Sequence, residues 1–202
     1  TKGGCIRPRG DWGVDGRPEH LRRACHASLK NLGADVIFLY QFHAPDAGVP
    51  FEKSVEALAK LQQEQKILHV GLSNVSASQL RAAQRIVRVE SVQNRCNPAR
   101  QQDLRNGFLQ LCKEQDVTYI PYSPVGGTYG HQSLVKQEPF SRLAKKHQTS
   151  PYCVILSWLL GKGDHVLPIP GAKRIASATD SPKAARLSLD EDDQAAIDAL
   201  GA

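Results

Sequence analysis

The feature that most constrains this chain is an alternation of short apolar runs with longer amphipathic stretches. Val36-Ile37-Phe38-Leu39-Tyr40, continuing through Gln41-Phe42-His43, is apolar on both faces. Such a run suits a parallel strand buried between two layers. Four more runs follow at residues 67–72, 89–93, 117–122 and 166–170. Two of these contain proline, which cannot donate to a strand ladder. Between the runs lie stretches with helical periodicity. Pro18 opens one that Gly33 closes, with Leu21 and Leu29 on one face. Residues 51–65 keep Val55, Leu58 and Leu61 together, and Ser76 caps the next. Further helices are expected at 101–115, 139–147, 151–160 and 190–200. Strand then helix, with no hairpin turn between them, predicts an α/β fold with a parallel sheet. A doubly wound sheet normally carries a glycine-rich fingerprint after its first strand. No G-x-G-x-x-G is present, which favours a (β/α)8 barrel.

Composition narrows the function. The chain has 202 residues and a formal net charge of +6, with Lys and Arg scattered rather than run together. Scattered charge does not make a nucleic-acid groove, but it suits a small anionic ligand such as a phosphate-bearing cofactor. No run approaches the roughly 20 apolar residues of a membrane span, so no membrane partner is expected. The five cysteines form no C-x-x-C pair and are odd in number. Four sit in apolar or helical patterns, which reads as reduced, buried thiols in a cytoplasmic protein. No metal site is expected.

Barrel enzymes work at the C-terminal ends of their strands. Here those ends read Lys2-Gly3-Gly4, Gln41-Phe42-His43, Leu72-Ser73-Asn74, Val92-Gln93-Asn94, Pro121-Tyr122-Ser123 and Ile169-Pro170-Gly171. Almost all finish in hydrogen-bonding groups. Any one of them is explained by an ordinary turn or a satisfied polar residue; a purely structural chain has little reason to repeat the pattern six times.

These motifs, with Ala44-Pro45-Asp46 after His43, Pro124 after Ser123 and Ala172 after Gly171, occur in an order that resembles the aldo/keto reductases over essentially the whole chain. The resemblance implies a (β/α)8 TIM barrel and NADPH-dependent interconversion of small carbonyl compounds and alcohols. It implies an Asp, Tyr, Lys and His tetrad, in which the Tyr hydroxyl supplies the proton. A phenol near pKa 10 needs tuning to act at neutral pH, and a nearby ammonium supplies it. Lys2 and His43 match the family lysine and histidine. Ser73, Asn74 and Gln93 match positions that bond the nicotinamide carboxamide, and Tyr122 matches the aromatic that stacks on its ring. Ser123, Pro124, Val125 and Gly126 fall in the loop over the pyrophosphate. Gly171, Ala172, Lys173 and Arg174 lead into a helix that can face a phosphate. Lys173 and Arg174 could pair with the 2′-phosphate that distinguishes NADP from NAD. Asp180 and Ser181 fall where the family holds the adenosine, whereas Ser177 replaces a stacking arginine. Trp12 and Tyr129 lie in stretches, 7–17 and 126–138, that are expected to border the active site.

No tyrosine matches the tetrad position, and no methionine is present. Both fit a chain that starts at the end of the third barrel strand and forms a single partial barrel domain over 1–202, lacking the first two or so β/α units and the family Asp and Tyr. Such a chain is expected to be inactive by itself. Two other readings remain: a cofactor-binding or regulatory barrel without turnover, and an aldolase-type barrel with a Schiff-base lysine. The sequence leaves the oligomeric state open.

Overall fold

The computed structural model describes residues 1–201. The chain divides into two compact units, Thr1–Gln93 and the part from Asn94 onward.

The first unit contains β1 (Lys2–Gly3), β2 (Cys5–Ile6), β3 (Gly13–Val14), α1 (Pro18–Leu32), β4 (Ile37–Phe42), α2 (Phe51–Gln63), β5 (Ile67–Ser73), α3 (Ala77–Gln84) and β6 (Val89–Gln93). Strands β1, β4, β5 and β6 pair in that order, all parallel. Parallel neighbours need a crossover, and α1, α2 and α3 provide it. Helix α1 begins with Pro18 and buries Leu21, Cys25 and Leu29, one residue per turn on one stripe. Gly33 adopts φ 61° and closes it, and Ala34 N–H then reaches back to Leu29 at 3.1 Å. Helix α2 buries Val55, Leu58 and Leu61 and packs on α1. Ser76 and Gln79 exchange bonds across the start of α3 in a capping box.

The expectation of a chain without hairpins needs correction. Residues 5–14 fold back so that β2 and β3 pair antiparallel, Cys5 opposite Val14 and Ile6 opposite Gly13. The strands are two residues each, too short to show an alternating pattern.

The second unit contains α4 (Gln102–Arg105), α5 (Phe108–Glu114), β7 (Thr118–Tyr119), α6 (Gly127–Val135), α7 (Phe140–Lys146), α8 (Pro151–Leu160), α9 (Ile175–Asp180) and α10 (Glu191–Asp198). The helix expected over 101–115 is broken at Gly107, whose φ of 77° no continuous right-handed helix accommodates. The strand expected over 166–170 is reduced to a parallel bridge of Val166 with Tyr119. Pro168 and Pro170 supply no N–H; Leu167 and Ile169 donate to the Tyr119 and Pro121 carbonyls at 2.9 and 3.4 Å, while Val166 turns back to the Gly163 carbonyl at 3.0 Å. Helix α8 is apolar almost all round and buries seven consecutive residues, Cys153 to Leu159.

A charged clasp secures α10. Asp190 caps it by accepting from the Asp193 N–H at 2.9 Å. Asp193 is buried and accepts from Lys146 Nζ at 2.7 Å, with His147 Nε2 at 2.6 Å. Burial acts to raise the Asp193 pKa, but the bonds from Lys146 and His147 hold it below the ordinary carboxylate value. A depressed folded-state pKa adds stability above the unfolded pKa, near 4, and loses it as pH falls through the folded value. Asp193→Asn is therefore expected to cost about 1–3 kcal/mol at neutral pH. It should also flatten the loss of thermal stability below about pH 4. Thermal denaturation by circular dichroism across pH 3–7 measures both effects.

Candidate active site

In the first unit, strand register builds the candidate site. Lys2 pairs with Gln41, Gln41 with Gly71, and Gly71 with Ser91, so four residues on four strands form one row. A bulge between Val70 and Gly71 sets this alignment, because Val70 is opposite Val89 while Gly71 is opposite Ser91. Side chains alternate faces along a strand, so Gln93 shares the face of Ser91. The row is joined by hydrogen bonds. Lys2 Nζ donates to Gln93 Oε1, Gln93 Nε2 to Gln41 Oε1 at 3.3 Å, and Gln41 Nε2 to Ser91 Oγ at 3.2 Å. Gln41, Ser91 and Gln93 are buried. Among the described residues Lys2 has no carboxylate partner, and burial pushes its pKa below the usual lysine value while the nearby Cys5 thiol works the other way.

His43 ends β4, and its N–H donates to the Gly3 carbonyl at 2.8 Å. Its imidazole pKa lies below the ordinary value, first through burial and then through the like charge of Lys2. Neutral imidazole can donate a hydrogen bond to a carbonyl oxygen through one ring nitrogen. Trp12, on the loop between β2 and β3, meets the His43 ring edge-on with centroids 6.0 Å apart, and the Arg7 guanidinium lies over Trp12 at 3.9 Å. The 7–17 stretch thus brings an aromatic ring to His43.

Ser73 and Asn74 end β5. Ser73 Oγ donates to the Gln93 carbonyl at 2.7 Å, and Asn74 Nδ2 to the His43 carbonyl at 3.0 Å and to Ser73 Oγ at 3.1 Å. Asn74 has φ 58°, a left-handed conformation that Asn tolerates better than most residues. Lys2, His43, Ser73, Asn74 and Gln93 therefore meet at one end of one sheet. Tyr40 does not join them. Its hydroxyl is buried without a hydrogen-bond partner and lies 2.1 Å from where a Cβ on Gly3 would sit. It points away from the face of its neighbour Gln41.

In the second unit, Ser123, Pro124, Val125, Gly171, Lys173, Arg174, Asp180 and Ser181 line one cavity of about 840 Å³. Gly126 and Ala172 adjoin it in sequence without lining it, and Tyr122 precedes Ser123 as a half-buried ring. Gly126 has φ 97°, and a Cβ there would fall 2.8 Å from the Gly130 backbone. Only glycine makes this turn, which leads straight into α6. Asp180 accepts from Ser150 Oγ and, at 3.3 Å, from Lys183 Nζ. Ser181 Oγ donates to the Ser177 carbonyl at 2.9 Å. Three cations, Lys173, Arg174 and Lys183, line the cavity, a donor set that suits phosphate. The helix expected after Arg174 is α9, six residues long, too short for a large macrodipole.

The sequence reading missed His131 and Tyr152 in this lining, their rings 6.3 Å apart. The only signal was helical: Thr128 and His131 are three apart, so a helix starting at Gly127 puts both on one side. Tyr129, by contrast, is fully exposed and outside the lining.

The first unit is thus a parallel α/β sheet with Lys and His at its strand ends, and the second carries a cation-lined cavity. The aldo/keto reductase family model matches residues 1–202, and the chain belongs to that family. It is 33% identical to a probable aldo-keto reductase 1 of Glycine max over 91% of this chain and 60% of that protein. It is 29% identical to a Schizosaccharomyces pombe aldo-keto reductase, yakc [NADP(+)], over 90% of this chain and 62% of the relative. The chain thus spans about three-fifths of the length of these curated relatives. Among solved structures, the thermostable aldo-keto reductase Tm1743, crystallised with the inhibitor epalrestat, superposes with a TM-score of 0.81. The two are 29% identical over 92% of this chain and 67% of that one. The fold is the family's α/β TIM-barrel type.

The coupling of Lys2 to His43 is testable. Lys2→Met removes a like charge, so the His43 pKa should rise toward 6.5 while remaining below it because burial persists. An NMR titration of the His43 Cε1 proton in the two proteins checks this.

Proposed function

We propose that this chain is part of an NADP(H)-dependent oxidoreductase that interconverts aldehydes or ketones and alcohols. The observation that carries the reading is the meeting of Lys2 and His43 at one end of the sheet, with Ser73, Asn74 and Gln93 beside them. The cofactor supplies the hydride. His43 is suited to orient the carbonyl by donating a hydrogen bond to its oxygen. Lys2 is suited to favour the anionic form of a phenol placed near its ammonium. Gln93, Ser73 and Asn74 offer amide and hydroxyl groups that match a carboxamide. Tyr122 offers a ring face for stacking.

In the second unit, Lys173 and Arg174 suit the 2′-phosphate of NADP rather than the bare hydroxyl of NAD, and the turn at Ser123 to Gly126 suits a phosphate chain. The relative named for NADP(+) supports the same choice. Asp180 and Ser181 keep acceptor capacity for the adenosine, though Asp180 is already engaged by Ser150 and Lys183. Ser177 lines the same cavity and itself offers no guanidinium for stacking. The five free thiols suit a reducing compartment, and we place the protein in the cytoplasm. Among the described residues no helix is long and apolar enough to cross a membrane.

The second reading, a barrel that binds cofactor without turnover, is favoured for the isolated chain by one observation. Tyr40 is sealed beneath Gly3 and burial raises its pKa, so it does not serve as the proton donor. The purified 202-residue chain should therefore show no NADPH oxidation with an aromatic aldehyde. Turnover that disappears in His43→Ala would overturn this. For the cofactor, Arg174→Ala should weaken NADPH about tenfold, as expected for a lost charge-assisted bond, with little change for NADH. Fluorescence titration of both nucleotides reads the difference; equal weakening would argue against a 2′-phosphate contact.

A further inference from the structure

The row across the first unit's sheet contains one group that the proposed chemistry leaves unused. Gln41 is 6% exposed, faces the same side as Lys2 and is their strand-pair partner. It reaches two residues of β6 across the intervening β5, bonding Gln93 and Ser91. That span is open because position 71 is glycine. A Cβ there would fall 2.5 Å from Ser91 Oγ and 2.7 Å from Gln41 Cγ, closer than such atoms approach.

The direction of the bonds follows from Lys2. An ammonium only donates, so Gln93 must present its carbonyl oxygen to it. Its amide nitrogen then faces Gln41, which must answer with its own oxygen. The Gln41 nitrogen is left for Ser91. The polarity of the row is thus set end to end, and each buried amide is satisfied on both sides.

We propose that Gln41 is a positioning residue for Lys2, acting through Gln93, and that Gly71 is the gap that permits the relay. This rests on the reading that Lys2 belongs to the reacting centre. Without the Gln41 oxygen, the buried Gln93 amide nitrogen loses its partner, and rotation toward a new one withdraws Gln93 Oε1 from the ammonium. Gln93 Oε1 is the side-chain acceptor that the structure gives the Lys2 ammonium. The other titratable groups that act on Lys2 or feel its charge are Cys5, the Thr1 amino group and His43.

The test reads the ammonium directly and needs no turnover. In the full 202-residue chain carrying ¹³Cε-lysine, the Lys2 signal is assigned with Lys2→Arg and titrated against pH. Gln41→Met, close in shape to the native residue, should lower the Lys2 midpoint by about half a unit or more, since a bond to the charged form is lost. Gln41→Glu keeps an acceptor for Gln93 and should restore the midpoint or raise it. Ser91→Ala, which frees the far end of the relay, should move it in the same direction as Gln41→Met by less, and serves if Gln41→Met does not fold. An unchanged midpoint in a folded Gln41→Met or Ser91→Ala protein overturns the proposal. A role confined to packing would lower the melting temperature and leave the midpoint in place. Nucleotide titration of the same proteins reports on the oxidoreductase reading separately, so either idea can fail while the other stands.

Discussion

The parallel register of β1, β4, β5 and β6 is the constraint on which the first unit depends. Strand side chains alternate with period two, so a one-residue slip would send Lys2 or Gln41 to the opposite face. The bulge at Val70 and Gly71 absorbs one residue of mismatch and keeps Ser91 and Gln93 on the side of Lys2. Helices α1, α2 and α3 enforce the register because their apolar stripes cover the other face, where Tyr40, Phe42, Val70 and Leu72 are buried. Residues facing the sheet's polar side are then free to be chosen for chemistry.

On that polar side the half-buried Lys2 ammonium donates to a neutral carboxamide, Gln93 Oε1. An amide accepts the hydrogen bond without neutralising the charge, and after burial it is the charge of Lys2 that lowers the His43 pKa. An imidazole and an ammonium, both with pKa values lowered chiefly by burial, thus lie at the same strand ends. The second unit is arranged differently: Lys173, Arg174 and Lys183 border one cavity.

Much of this was legible in the linear order of residues. The run from Ile37 to Phe42 reads as a strand because it is largely apolar, although Phe38 is 71% exposed in the folded chain, and Pro18 and Gly33 mark the ends of α1 through their own backbone preferences. Lys2, His43, Ser73 and Asn74 could be picked out because function in a barrel gathers where strands stop. The hairpin at 5–14 was hidden because two-residue strands carry no pattern. The proline-bearing run at 166–170 looked like a strand but lacks the donors to be one. His131 and Tyr152 were missed because they meet only after α6 and α8 have folded.

The sequence by itself determined the family, the alternation of strand and helix, and the residue types at the strand ends, since these follow from local periodicity and motif order. Only the tertiary structure decided which of them touch. Lys2 and Gln93 are 91 residues apart, and nothing local links them. Their contact exists because four strands align in one register. In the folded sheet Gly71 is the opening through which Gln41 reaches β6. The reason is physical: covalent neighbours set conformation, but hydrogen-bond partners in a parallel sheet are chosen by packing across it.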